Sequence, residues 1–369
     1  MKLNIGRSED FFSMRHFLLG LSVVLGLYTT LFLTLFALQN TTLGTLEKAL
    51  AKQSLGLVVS DINPQAPAKD VTEKQPQKTE TPPVPEGNPD EELRDILAAS
   101  QEQALPESPL EGQTEDSPYG LLPIISREAK TPFNVYKRPY ALNRNAPVLS
   151  VAVLDYGLSS SLSDSLVKEL PPNVSLILNP YSAAPDEWQK KARKAGHEIW
   201  LQLMTLTHNF PQTDPGAQGL ITNVTAEYNQ SRLAWMLGRT TGYAGVAAFT
   251  DSTLKKSEPI FQTLAQDIFK RGLGYLELNP SRNAFWEPLA IEAGIPNAHN
   301  ALFLDDLSPE NPDLKKVEDL LHDQGGAFVT LKPTPSNIIL LKTWLAALEA
   351  KGVHLAPVSA IAGVGAATE

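Results

Sequence analysis

The chain contains no cysteine, and only six of its 369 residues are histidine. The first absence excludes any disulfide framework. It agrees with an exported domain that needs none, although cytosolic chains often lack cysteine too. The scarcity of histidine leaves few imidazoles from which to assemble a metal centre. No glycine-rich phosphate loop followed by Lys-Ser/Thr occurs, and no Gly-x-Ser-x-Gly elbow, which removes the usual signatures of nucleotide binding and serine hydrolysis. Positive charge is also short: the formal net charge is −10. That balance argues against a nucleic-acid partner and against simple attraction to anionic lipid.

One long uncharged run is present. Phe17–Leu38 is almost entirely Leu, Val, Phe, Ala, Gly and Thr, long enough at helical rise to cross a hydrocarbon core, and it predicts a transmembrane helix over 17–39. A cleaved signal peptide is the rival, but the apolar run is longer than such a region needs and no small-x-small cleavage site follows closely. Lys2, Arg7 and Arg15 precede the run, and Glu47 and Lys48 are the first charges after it. This places residues 1–16 in the cytoplasm. The expected location is therefore a bacterial inner membrane, single-pass, with the C-terminal domain in the periplasm. Residues 40–120 read as a flexible Pro/Glu-rich linker, with Pro64, Pro67, Pro76, Pro82, Pro83, Pro85 and Pro89 stiffening it locally. In Glu86–Asp116 only Arg94 opposes the acidic residues. Residues 121–147, with Ile124, Ile125, Phe133, Tyr136 and Tyr140, read as an arm packing on the outside of the domain.

From 148 to 369 the pattern changes. Short apolar runs at Val148–Leu154, Val174–Asn179, Glu198–Met204, Tyr243–Phe249, Leu273–Leu278, Ala301–Leu304, Ala327–Leu331 and Val353–Pro357 alternate with amphipathic stretches. The best of these stretches are Ser161–Leu170, Pro185–Ala195, Thr225–Arg239, Ser257–Arg271, Ala284–Ala293, Asp313–Asp323 and Pro335–Ala350. Prolines stand at two helix starts (Pro185, Pro335), and Gly196, Gly272, Gly294, Gly325 and Gly352 stand at helix ends. The alternation predicts a parallel α/β sheet or barrel. In such folds the carboxyl ends of the strands surround the ligand, so Asp155, Asn179, Gln202, Asp251, Glu277, Asp305 and Lys332 are the expected ligand-binding residues of one mouth.

Eight ordered blocks carry a family resemblance: VAVLDYG (Val151–Gly157), LPPNVSLILNPYS (Leu170–Ser182), AGHEIWLQL (Ala195–Leu203), PGAQGL (Pro215–Leu220), GYAGVAAF (Gly242–Phe249), RGLGYLEL (Arg271–Leu278), NALFLDD (Asn300–Asp306) and LAPVSAI (Leu355–Ile361). Together, over about 148–361, they resemble the divergent polysaccharide deacetylases, exported relatives of the carbohydrate esterases. The resemblance implies a distorted (β/α) barrel of about seven to eight parallel strands. It also implies metal-assisted removal of an acetyl group from an amino sugar, with Asp and His ligands at strand ends. The chain departs from that pattern at its centre. Relatives pair two aspartates where Leu154-Asp155-Tyr156-Gly157 offers one, and place a histidine at Gln202. Their Asn-Asn-His run aligns with Ala247-Ala248-Phe249, and their Gly-His-Pro with Leu331-Lys332-Pro333. Only the FLDD block, Phe303–Asp306, survives.

Asp155, Asp305 and Asp306 are thus the catalytic candidates, each with a capping role as its plain alternative. Trp286 is the candidate sugar-stacking platform, core packing being the default for the other tryptophans. His208 is the single histidine expected near the mouth, whereas His197 at a strand start reads as a packing residue. A lysine at 332 places an ammonium among carboxylates such as Asp155 and Asp305, offsetting their repulsion. No metal site and no cofactor is expected. The leading function is binding of a glycan, peptidoglycan-type, or of an envelope protein. The alternatives are a working zinc-dependent deacetylase built on Asp155, His208, Asp305 and Asp306, and a structural adaptor for cell-wall hydrolases.

Overall fold

The computed structural model of the chain describes residues 104–143 and 145–362, together with Gly26, Thr29 and Thr30. The rest of the expected membrane segment and the linker up to 103 lie outside the described residues. Among the described residues no helix is long and apolar enough to cross a membrane.

The chain is packed from residue 104, earlier than composition predicts, and the linker expectation is corrected for 104–120. Leu105 N donates to Arg193 O at 2.8 Å, and the buried Arg193 guanidinium donates to the carbonyls of Pro106, Tyr136 and Gly242 at 2.8, 3.0 and 3.1 Å. Burial lowers the pKa of that guanidinium to about 10. An antiparallel hairpin follows, β1 (Thr114–Ser117) and β2 (Gly120–Pro123). A short helix, α1 (Pro132–Tyr136), then begins on an N-cap at Thr131 and buries Phe133 and Tyr136. The acidic residues Glu107, Glu111, Glu115 and Asp116 face solvent while Leu105, Gln113 and Leu122 are buried.

The parallel strands β3 (Val148–Tyr156), β4 (Ser175–Leu178), β5 (Ile199–Leu203), β6 (Gly245–Ala248), β7 (Gly274–Glu277), β8 (Asn297–His299), β9 (Leu302–Leu304) and β10 (Gly326–Leu331) lie in the order β8-β7-β6-β5-β4-β3-β10-β9. The two edges of that order are one run of chain. Asn300 N donates to Glu277 O on the β7 side at 2.9 Å, and Ala301 N donates to Phe328 O on the β10 side at 2.8 Å. The segment changes partner at Asn300 and closes the ring, giving the distorted (β/α) barrel that the alternation and the family resemblance imply. Only its second half, near Ala301–Leu304, was expected as strand. A last short strand, β11 (His354–Leu355), pairs with Val148 and Leu149 of β3.

Strand alternation sorts the side chains into two layers. Val151, Val153, Leu176, Leu178, Ile199, Leu201, Val246 and Tyr275 pack outward on the helices. Ala152, Leu154, Ile177, Trp200, Ala247, Leu276 and Phe328 form a separate inner cluster. The inner layer admits Trp200 because its neighbours are Gly245 and Gly274: a Cβ added there would stand 2.3 and 2.9 Å from the indole. The helices are α2 (Ser160–Glu169), α3 (Pro185–Lys194), α4 (Ala226–Leu237), α5 (Glu258–Phe269), α6 (Glu287–Glu292), α7 (Pro312–Gln324), α8 (Pro335–Ala350) and α9 (Val358–Ala362). Ser159, Thr225, Asn311 and Thr334 cap α2, α4, α7 and α8 through their side chains, and Gly325 ends α7 at φ 71.

The floor of the barrel, at the strand starts, is polar and sealed. Glu198 is fully buried and accepts from Ser175 Oγ (2.7 Å), Trp200 Nε1 (3.0 Å), Ser359 N (3.0 Å), Arg138 N (3.1 Å) and the Ser359 hydroxyl. His197 beside it is buried, its Nδ1 is 2.8 Å from Val174 O, and burial lowers its pKa. It is the hydrogen-bonding core residue that its place at a strand start predicts.

Candidate functional site at the barrel mouth

The carboxyl ends of β3, β4 and β5 bring three of the expected residues together. Asp155, the last residue but one of β3, has φ 55, a left-handed conformation that aspartate tolerates better than most residues. Asn179 follows β4, and its Nδ2 donates to Asp155 Oδ1 at 2.9 Å and to Gln202 Oε1 at 3.4 Å. Asn179 Oδ1 accepts from Tyr181 N at 3.0 Å, which orients the amide. Asn179 and Gln202 are buried and Asp155 half-buried.

Asp251, past β6, joins a residue from the loop after β5. Its Oδ2 accepts from both His208 N (2.9 Å) and His208 Nδ1 (2.7 Å), and its Oδ1 accepts from Thr253 N (2.7 Å). Burial pushes the Asp251 carboxyl up, but the His208 and Thr253 hydrogen bonds outweigh it and hold the group below its ordinary range. The imidazole itself is 68% exposed. Sequence reasoning named both residues without pairing them.

On the other side, Lys332 Nζ lies 3.6 Å from Asp305 Oδ1, with side chains 56% and 67% exposed. The ammonium thus reaches Asp305, while Asp155 Oδ1 accepts from Asn179 instead. Asp306 takes its plain alternative: its carboxylate accepts from Ser308 N (3.0 Å) and Ser308 Oγ (2.8 Å), holding the turn before α7. Phe249 packs edge-on against Phe303 at 6.3 Å between ring centroids, both partly buried against the inner cluster.

Two expected site residues do not belong to the mouth. Glu277 alternates with Leu276 and Leu278 of the inner cluster and so points outward with Tyr275. It is fully buried and accepts from Thr250 N (3.0 Å), Tyr275 OH (2.6 Å), Asn279 N (3.0 Å) and the Thr250 hydroxyl. Burial raises its pKa despite those donors. A carboxyl raised in the fold contributes stability below its ordinary value near 4.5 and loses it as pH rises through the native value. Urea titrations at stepped pH are therefore expected to show a downward stability component between mildly acidic and neutral pH that Glu277→Gln removes. Trp286 is likewise fully buried; it donates to Phe261 O at 2.9 Å and packs on Phe261 and Tyr275, so it offers no ring to a sugar.

The donor set does not fit a catalytic divalent ion. Such an ion needs two or three neutral imidazoles or carboxylates converging on one point. Among the described residues no three His, Asp or Glu side chains do so. Asp155 Oδ1 is engaged by an amide and Asp305 by an ammonium, and Phe249 presents a phenyl ring.

No curated protein matches the chain. Among solved structures, an uncharacterized protein from Agrobacterium tumefaciens C58 is 25% identical, with a TM-score of 0.60 over 66% of this chain and 99% of that one. A mutant of a CE4 family pseudoenzyme with restored enzymatic activity is 13% identical, with a TM-score of 0.34 over 60% of this chain and 69% of its own. The sequence profile of the divergent polysaccharide deacetylases matches residues 152–362, from the middle of β3 to the end of α9, and the chain belongs to that family.

Proposed function

We propose that this protein is a membrane-anchored, exported divergent polysaccharide deacetylase-like domain that binds an envelope glycan at the barrel mouth without hydrolysing it. What supports the reading is that Gln202, Phe249 and Lys332 stand where the resemblance implies the family's ligands, with an Asn179 amide on Asp155 and the Lys332 ammonium beside Asp305. What remains is an aromatic pair flanked by hydrogen-bonding groups, the usual composition of a saccharide surface. The anchor is the uncharged run at 17–39, which places the domain in the periplasm. The full-length protein, loaded with zinc and dialysed, is expected to retain far less than one equivalent. It is also expected to release no acetate from N-acetylglucosamine oligomers and to bind at least one glycan among peptidoglycan fragments, chitotetraose and cellotetraose. Lys332→Ala should change unfolding free energy by less than about 1 kcal/mol, because its ion pair is solvent-exposed.

A second reading has one observation in its favour. The carboxylate of Asp251 holds His208 Nδ1, the arrangement that orients an imidazole for metal binding or proton transfer. Under it the protein is a working deacetylase using Asp155, His208, Asp305 and Asp306. Stoichiometric zinc that disappears in Asp155→Ala or Asp305→Ala would establish it and overturn the binding reading.

A further inference from the structure

Gln202 is 7% exposed, yet among the described residues its carboxamide makes a single hydrogen bond, from Asn179 Nδ2 to Oε1. Because Tyr181 N fixes Asn179 Oδ1, the Asn179 amide can only donate toward Gln202. Gln202 must therefore present its oxygen to Asn179 and turn its NH2 away. That NH2 has no acceptor among the described residues and is not sealed from solvent, so it opens at the mouth. Asp155 is the mirror case: Oδ1 accepts from Asn179, and Oδ2 has no donor among the described residues. Asn179 thus stands between a free acceptor on β3 and a free donor on β5. Phe249, just past the neighbouring strand β6, presents its ring with Phe303 inside the same barrel.

We infer that this corner grips the neighbouring hydroxyls of a neutral hexose ring: one donates to Asp155 Oδ2, the next accepts from Gln202 Nε2, and the apolar ring face lies on Phe249. Other chemistries match less well. A carboxylate or phosphate meets the Asp155 charge, and an ammonium leaves the Gln202 NH2 unpaired. A trans amide points its N–H and C=O in opposite directions, whereas adjacent hydroxyls offer both roles on one edge. The left-handed backbone at Asp155 is the strain expected where a side chain is held for a ligand. The inference rests on the glycan-binding reading of the same mouth and narrows its ligand to glycans with free vicinal diols.

The test is titration of the full-length protein with cellotetraose, which has such diols along its length, with its 2,3-di-O-methyl derivative, and with chitotetraose, whose 2-positions are acetamido. Side-chain amide NMR and calorimetry are the readouts. Cellotetraose is expected to bind at least tenfold more tightly than either of the others, to shift the Gln202 amide signals, and to lose at least tenfold in Gln202→Glu and Asp155→Asn. The methylated probe binding as well as cellotetraose overturns the diol assignment and leaves the glycan reading standing; chitotetraose binding as well overturns a grip on the 2,3-diols, since its terminal 3,4-hydroxyls are the one vicinal pair it keeps. Binding of peptidoglycan fragments alone does the same. No glycan binding at all removes both. The methylated probe needs no variant, so a misfolded substitution cannot obscure the outcome.

Discussion

Glu198→Ala is expected to lower the unfolding free energy by about 3–5 kcal/mol, the range for deleting one member of a buried, fully hydrogen-bonded charged network. The carboxylate accepts five hydrogen bonds with no exposed surface, and its donors come from four separate parts of the chain: Arg138 in the arm, Ser175 at the start of β4, Trp200 on β5 and Ser359 in α9. Removal leaves those donors buried and unpaired, each costing its desolvation. It also removes the negative charge that acts on the Arg138 guanidinium. The effect is long-range in sequence because Ser359 is held through both its amide and its hydroxyl. Loss of the acceptor should free α9 from the barrel floor and expose the C-terminal segment to limited proteolysis before global unfolding. Glu198→Gln keeps the volume and one acceptor oxygen but turns an NH2 toward donors, so roughly half the loss is expected. Urea unfolding followed by tryptophan fluorescence reports both, with Trp200 itself bonded to the carboxylate. An unchanged midpoint in Glu198→Ala would mean that water replaces the carboxylate and that the floor is not closed.

Much of the barrel was readable from local signals. The prolines at the starts of α3 and α8 and the glycines ending the helices act within one turn of chain, and the apolar runs between them are strands because both faces are buried. What was missed depends on contacts distant in sequence. Asn297–His299 is short and polar, and it is a strand only because β7 offers it an edge. The stretch from 104 to 120 looks like linker by composition, but a few residues such as Leu105 and Gln113 suffice to seat it. At the mouth, the strand-end rule found Asp155, Asn179 and Gln202, whose contacts are between neighbouring strands. The same rule misplaced Glu277, since position along a strand does not decide facing: one residue of alternation separates it from Leu276 and Leu278 on the inner side. Gly274, Leu276 and Leu278 at two-residue spacing were the available signal. His208 and Asp251 lie on different loops, and no spacing rule joins them.

Asn300→Ala is expected to open the ring between β7 and β10 and to cost about 3–5 kcal/mol, as several buried polar groups lose their partner at once. Asn300 Nδ2 donates to Leu278 O and Thr330 Oγ1, each at 2.8 Å, and Thr330 N donates to Asn300 Oδ1 at 3.0 Å. One fully buried carboxamide therefore ties both neighbouring strands at the point where backbone pairing switches from one to the other. The backbone bonds of Asn300 and Ala301 then hold the two edges without the carboxamide and open more often, while Leu278 O and both polar groups of Thr330 do not regain partners in an apolar interior. Hydrogen exchange should localise the damage: amides of Asn300, Ala301 and Thr330 lose protection, while those of β4 and β5 on the far side keep theirs apart from the global loss. Asp305 follows β9 and Lys332 follows β10, so their ion pair should loosen while the Asp155–Asn179–Gln202 corner stays intact. Glycan binding at that corner should then fall only modestly beside the loss of stability, in contrast to Gln202→Glu, which should cost binding with little change in unfolding. Equal loss of binding in the two variants would mean that the ligand spans the whole mouth, from β3 to β10.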